Sequence, residues 1–132
     1  MKQIEHIGIA VRQLQEAIPL FEKLLASPCY KQESVPQEKV ITAFFQTGNC
    51  KIELLESTDP ESAIGRFLDQ RGEGLHHIAF EVEDLQSEMG RLKKEGFEFV
   101  HESPRPGADN KLVAFLHPRT TGRVLVELCM EI

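Results

Sequence analysis

Apolar and polar positions run through the same order twice along this chain. Ile4, Ile7, Ile9 and Val11 fall in a short stretch rich in strand formers, so Gln3 to Val11 reads as a first strand. Leu14, Ala17, Ile18, Phe21, Leu24 and Leu25 then recur at helical spacing, which predicts an amphipathic helix over Arg12 to Ala26. Pro19 lies inside that pattern and implies a kink or a late start. Tyr30 to Val35, Val40 to Gln46 and Lys51 to Glu56 read as three strands. The last two are joined by a hairpin turn at Thr47-Gly48-Asn49. Ile64, Phe67 and Leu68 give a short helix an apolar side, and Arg71-Gly72-Glu73-Gly74 marks the boundary between halves.

The second half repeats the order. Leu75 to Val82 is a strand. Asp84 can cap a helix running to about Glu95, with Leu85, Met89 and Leu92 on one face, and Gly96 stops it. Phe97 to His101 reads as a strand, and Ser103 to Asn110 as a loop, because two prolines and a glycine interrupt any ladder. Lys111 to His117 is a strand, Pro118 to Gly122 a turn, and Arg123 to Cys129 the last strand. Aligning His6 with His77 also aligns Ile7 with Ile78, Val11 with Val82, Leu14 with Leu85 and Gln15 with Gln86. Ile52-Glu53-Leu54 likewise matches Val126-Glu127-Leu128. Duplication is the simplest account. The expected fold is α+β: one domain over residues 1–132, made of two tandem βαβββ modules at about 1–71 and 72–132.

Composition narrows the functions open to such a chain. The net charge of -6 leaves no basic footprint for nucleic acid. No window reaches the roughly 18 uninterrupted apolar residues of a membrane helix. The N-terminus enters a strand pattern directly and lacks the apolar core of a signal peptide. Cys29, Cys50 and Cys129 are odd in number and form no CxxC pair, which fits a reducing compartment and small core residues. A soluble cytoplasmic protein is expected.

Four residues carry the candidate chemistry: His6, Glu53, His77 and Glu127. Glu127 lies in Val124-Leu125-Val126-Glu127-Leu128-Cys129, a run that otherwise asks for burial, and Glu53 is flanked by Ile52 and Leu54. An ionised carboxylate there is costly unless paired or bound to a metal. A lone histidine at a strand start is more often structural, and a strand glutamate more often faces solvent. Equivalent places in two repeats are what single these four out. Two imidazoles and two carboxylates make a mixed N/O ligand set suited to a divalent transition metal. His76 points to the face opposite His77 and reads as structural or supporting. Arg105, Lys111, Arg119 and Arg123 read as solvated cations, although their clustering in the second half would suit a phosphate or carboxylate.

At Ile52-Glu53-Leu54-Leu55-Glu56, Gly72-Glu73-Gly74-Leu75-His76-His77-Ile78-Ala79-Phe80, Pro104-Arg105-Pro106-Gly107-Ala108 and Val113-Ala114-Phe115-Leu116-His117-Pro118, the chain resembles the vicinal-oxygen-chelate superfamily of glyoxalases, bleomycin-resistance proteins and dioxygenases. Within it, it resembles the methylmalonyl-CoA epimerases. The resemblance covers nearly the whole chain. It implies curled mixed sheets around one divalent metal (cobalt, zinc, nickel or manganese) held by His6, Glu53, His77 and Glu127. It implies epimerisation at C2 of an acyl-CoA through a metal-stabilised enolate, with Glu127 and Glu53 as the catalytic carboxylates. Lys111, His117 and Arg119 would face the substrate, and the protein would be a homodimer. The alternatives are a glyoxalase I (lactoylglutathione lyase) and a non-catalytic binding protein of the same superfamily. Some relatives carry a further catalytic carboxylate where this chain has Ile41, Thr42 and Ala43, and a glycine pair where it has Asp109-Asn110.

Overall fold

The computed structural model describes all residues from Met1 to Ile132. Two compact units emerge: His6–His76, and His77–Ile132 together with Met1–Glu5. The α+β class expected from the sequence holds. No helix is long and apolar enough to cross a membrane.

The unit His6–His76 carries most of β1 (Gln3–Ala10), then α1 (Leu14–Leu25), β2 (Lys31–Val35), β3 (Val40–Thr47), β4 (Cys50–Ser57) and α2 (Ala63–Arg71). β3 runs antiparallel to both β2 and β4, and β4 runs parallel to β1. The parallel pair is possible because α1 and the β2–β3 hairpin return the chain. Ala43, Phe45 and Leu54 point to the helix side and pack with Val11, Leu14 and Ala17. The helix begins at Leu14 and continues through Pro19. Its entrance has no side-chain cap of its own. Instead the Leu14 N–H donates to Glu56 Oε1 at 2.6 Å, and the Arg12 N–H to Glu73 Oε2 at 2.8 Å. Leu24 was expected on the apolar face but is 70% exposed, because it shares a stripe with Leu20, away from the sheet.

The second unit holds most of β5 (Gly74–Glu81), then α3 (Leu85–Lys94), β6 (Arg105–Pro106), β7 (Lys111–Leu116) and β8 (Val126–Glu131). β5 and β8 are parallel, while β7 is antiparallel to β8 and to β6. Asp84 caps α3 as expected, its carboxylate accepting from the Ser87 N–H at 3.0 Å. Leu85, Met89 and Leu92 pack on Ala114, Leu116 and Leu128.

Three sequence expectations fail here. Phe97 to His101 makes no ladder, but one isolated bridge from Phe99 to Leu116, with Val100 N–H donating to Phe115 O. A two-residue strand forms instead at Arg105–Pro106, inside the expected loop; proline donates no N–H, so it is tolerated on an edge. The last strand starts at Val126 rather than Arg123, because Arg123 takes φ 72° in the turn after Pro118–Thr120.

Candidate metal centre

Strand register decides which side chains share a face with each histidine. In the first unit Gly8 lies opposite Glu53, and Phe44 lies opposite Glu53 on the other side. Residues directly opposite point the same way, so Glu53, Phe44, Lys51 and His6 share the face turned away from α1. Glycine opposite the carboxylate leaves room above the sheet. His6 and Glu53 are 5% and 4% exposed, with His6 Nδ1 3.1 Å from Glu53 Oε2. Lys51 is also buried on this face.

The second unit repeats the arrangement. Ala79 lies opposite Glu127 in β8, and Phe115 opposite Glu127 in β7. His77 Nε2 is 3.3 Å from Glu127 Oε1, and both side chains are buried. The Phe115 ring meets the His77 ring edge-on at 5.7 Å, which fixes the imidazole's orientation. His76 turns the other way and packs edge-on against Phe67 of α2 at 5.0 Å, the structural place expected of it.

Each unit thus holds a dry imidazole against a dry carboxylate. A carboxylate so buried is costly unless it is paired or bound to a metal. Nitrogen and oxygen donors so placed fit a divalent metal, and the histidines and glutamates form candidate ligand groups.

The three expected substrate contacts are engaged locally. Lys111, expected to be solvated, is buried; its ammonium reaches Glu131 at 3.4 Å, at the end of β7 away from Phe115. The His117 imidazole accepts from the Arg119 N–H at 3.3 Å and closes the 3-10 turn. The Arg119 guanidinium forks onto Glu98. Sequence reading passed over Glu33 and Phe44, whose facing is set by strand register.

Comparison with known proteins identifies the scaffold. Residues 5–115 match the family described as the glyoxalase/bleomycin resistance protein/dioxygenase superfamily. An uncharacterized protein of Bacillus subtilis is 41% identical over 98% of this chain and 92% of its own length. The mitochondrial methylmalonyl-CoA epimerase of Homo sapiens is 35% identical over 96% of this chain and 72% of its own length. An ethylmalonyl-CoA/methylmalonyl-CoA epimerase of Cereibacter sphaeroides is 35% identical over 96% of each. Among solved structures, the methylmalonyl-CoA epimerase of Mycobacterium tuberculosis superposes with a TM-score of 0.94 at 32% identity, covering 98% of this chain and 88% of that one. A methylmalonyl-CoA epimerase in complex with methylmalonyl-CoA and NH4+ gives 0.93 at 29% identity, covering 99% and 95%. The chain belongs to the glyoxalase/bleomycin resistance protein/dioxygenase superfamily, and within it is an isomerase of the epimerase kind.

Proposed function

We propose that this enzyme interconverts the epimers of methylmalonyl-CoA by moving the proton at C2. The observation that carries the reading is the buried histidine–glutamate pair that occurs in both units, each opposite a small residue and a phenylalanine. The named relatives support methylmalonyl-CoA as the substrate.

In this reading His6 and Glu53 are divalent-cation ligands of the first unit, and His77 and Glu127 are those of the second. Cobalt, zinc, nickel and manganese all suit two nitrogens and two oxygens. A bound cation would polarise the thioester carbonyl and offset the charge that develops as C2 loses its proton. Glu127 is the group we assign to proton transfer on one side of C2. Its burial keeps the carboxylate poorly solvated. His77 holds it, and Phe115 holds His77. Glu53 stays a ligand. Cytoplasmic location and assembly as a homodimer complete the proposal.

The test is deuterium exchange at C2 of methylmalonyl-CoA in D2O, on metal-replete wild type and Glu127→Ala. Fast exchange that falls about 10²–10⁴-fold in the variant is the expected result. The same protein is offered the hemithioacetal of methylglyoxal and glutathione. Turnover of that substrate alone would replace the epimerase with a glyoxalase I. Bound metal with neither reaction would leave a non-catalytic binding protein.

A further inference from the structure

An epimerase needs one proton-transfer group on each side of the carbon, and the first unit offers a candidate for one of them. Resting on the function just proposed, we propose that Glu33 is that group. Glu33 lies on β2 directly opposite Thr42, and Thr42 directly opposite Leu55, one row along from Phe44 and Glu53. Glu33 therefore shares the face that carries His6 and Glu53. Strand spacing and rise place its Cα roughly 12 Å from that of Glu53 on a flat sheet, a gap that two side chains and a short acyl group span.

A half-buried carboxylate on an outer strand is by itself unremarkable, and this one pairs with Lys31 at 3.5 Å. A second observation points to a ligand at this spot. Thr42 Oγ1 is buried and makes no hydrogen bond, and the residue is 1% exposed. Folds seldom keep a dry, orphaned hydroxyl for stability. The second unit shows that the scaffold does not require one. There Phe115 opposite Glu127 matches Phe44 opposite Glu53, so the place of Thr42 falls to Val113, packed with Ala79 and Cys129. The place of Glu33 falls to Arg105, opposite Val113. Donor hydroxyl and carboxylate together are thus peculiar to the first unit. Lys31, its ammonium 4.5 Å from the Phe44 ring centre, adds a cation beside them.

The step balances without any redox partner. One carboxylate takes the C2 proton, and the electron pair of the broken C–H bond moves into the thioester carbonyl as an enolate. The other, starting as the carboxylic acid, gives its proton to the opposite face and closes a new C–H bond. Each turnover leaves the two groups with exchanged protonation states, which water must reset. A side chain 33% exposed, as that of Glu33 is, suits this resetting.

The experiment uses the metal-loaded full chain, one epimer of methylmalonyl-CoA at a time, in D2O. Inversion is followed by circular dichroism and C2 deuteration by mass spectrometry. For Glu33→Gln we expect inversion to fall at least about 100-fold, while one epimer still exchanges its C2 proton with retention. That retained exchange also reports a folded, loaded protein. Inversion within about threefold of wild type overturns the assignment. So does parallel loss of inversion and of exchange with both epimers. A wild type that neither exchanges nor inverts overturns the epimerase reading itself, and this inference with it.

Discussion

The two units use one plan and finish it differently. Each sets a histidine on its first strand beside a glutamate on a parallel partner, and each sets a phenylalanine opposite that glutamate. Beyond that row they part. The first unit adds a full five-residue β2 that sets Lys31 opposite Phe44 and Glu33 opposite Thr42. The second adds two residues of β6 and an isolated bridge, and fills the matching face with Ala79, Val113, Cys129 and Phe115. The helices differ in the same spirit. α3 is capped by its own Asp84, whereas α1 borrows Glu56 from the end of β4. The strands that carry the histidine–glutamate pairs are alike, and the outer elements diverge; the group proposed for proton transfer, Glu33, sits on one of those diverging elements.

The sharpest way to break this likeness is to remove equivalent carboxylates. Glu53→Gln and Glu127→Gln should both lower bound metal, measured by elemental analysis of dialysed protein. Glu127→Gln should in addition lower C2 exchange about 10²–10⁴-fold. Equal exchange rates in the two variants would mean that both glutamates are ligands and that the proton moves elsewhere.

Next in size come the two cores. Phe45→Ala, at a residue 0% exposed between β3 and α1, should cost about 3–5 kcal/mol in urea unfolding, and Leu128→Ala, equally buried under α3, about 2–5. A much smaller loss in one unit would reveal a looser core there.

The caps give a smaller contrast. Asp84→Ala should cost about 1 kcal/mol. Gln13→Asp should stabilise α1 by roughly 0.5–1 kcal/mol, since that position is extended and makes no cap bond of its own. No gain would mean that Glu56 already satisfies the entrance.

The smallest effect is acid sensitivity, concentrated in the second unit. A hydrogen bond from Lys2 holds the Glu81 carboxyl below its ordinary value, and one from Arg91 does so for Glu88. A lowered value stabilises the fold above the ordinary carboxylate range, and that contribution fades as pH falls through the lowered value. Glu81→Gln should therefore flatten the loss of melting temperature below about pH 4.5, and leave the neutral range little changed.

Much of this was legible in the chain because periodicity reports burial. Ile7, Ile9, Leu54 and Leu128 announced their strands, and Asp84 announced α3. The histidine–glutamate pairs were legible because the chain states them twice. What was hidden depends on register and tertiary company. The alternation in Lys31-Gln32-Glu33-Ser34-Val35 looks like a solvated edge until β3 places Glu33 over Thr42. Lys111 looks solvated until Glu131 and the sheet enclose it. Phe97 to His101 has strand composition but lacks a partner of sufficient length, since β7 ends at Leu116.

The parallel pairing of β1 with β4, and of β5 with β8, has a kinetic consequence. Within each pair the histidine and glutamate are roughly 50 residues apart in sequence, so they meet after a long loop has closed and its entropy has been lost. Nascent chains would form helices and the β3–β4 hairpin first. The donors would assemble late, and refolding with the ion present should speed recovery less than it slows unfolding.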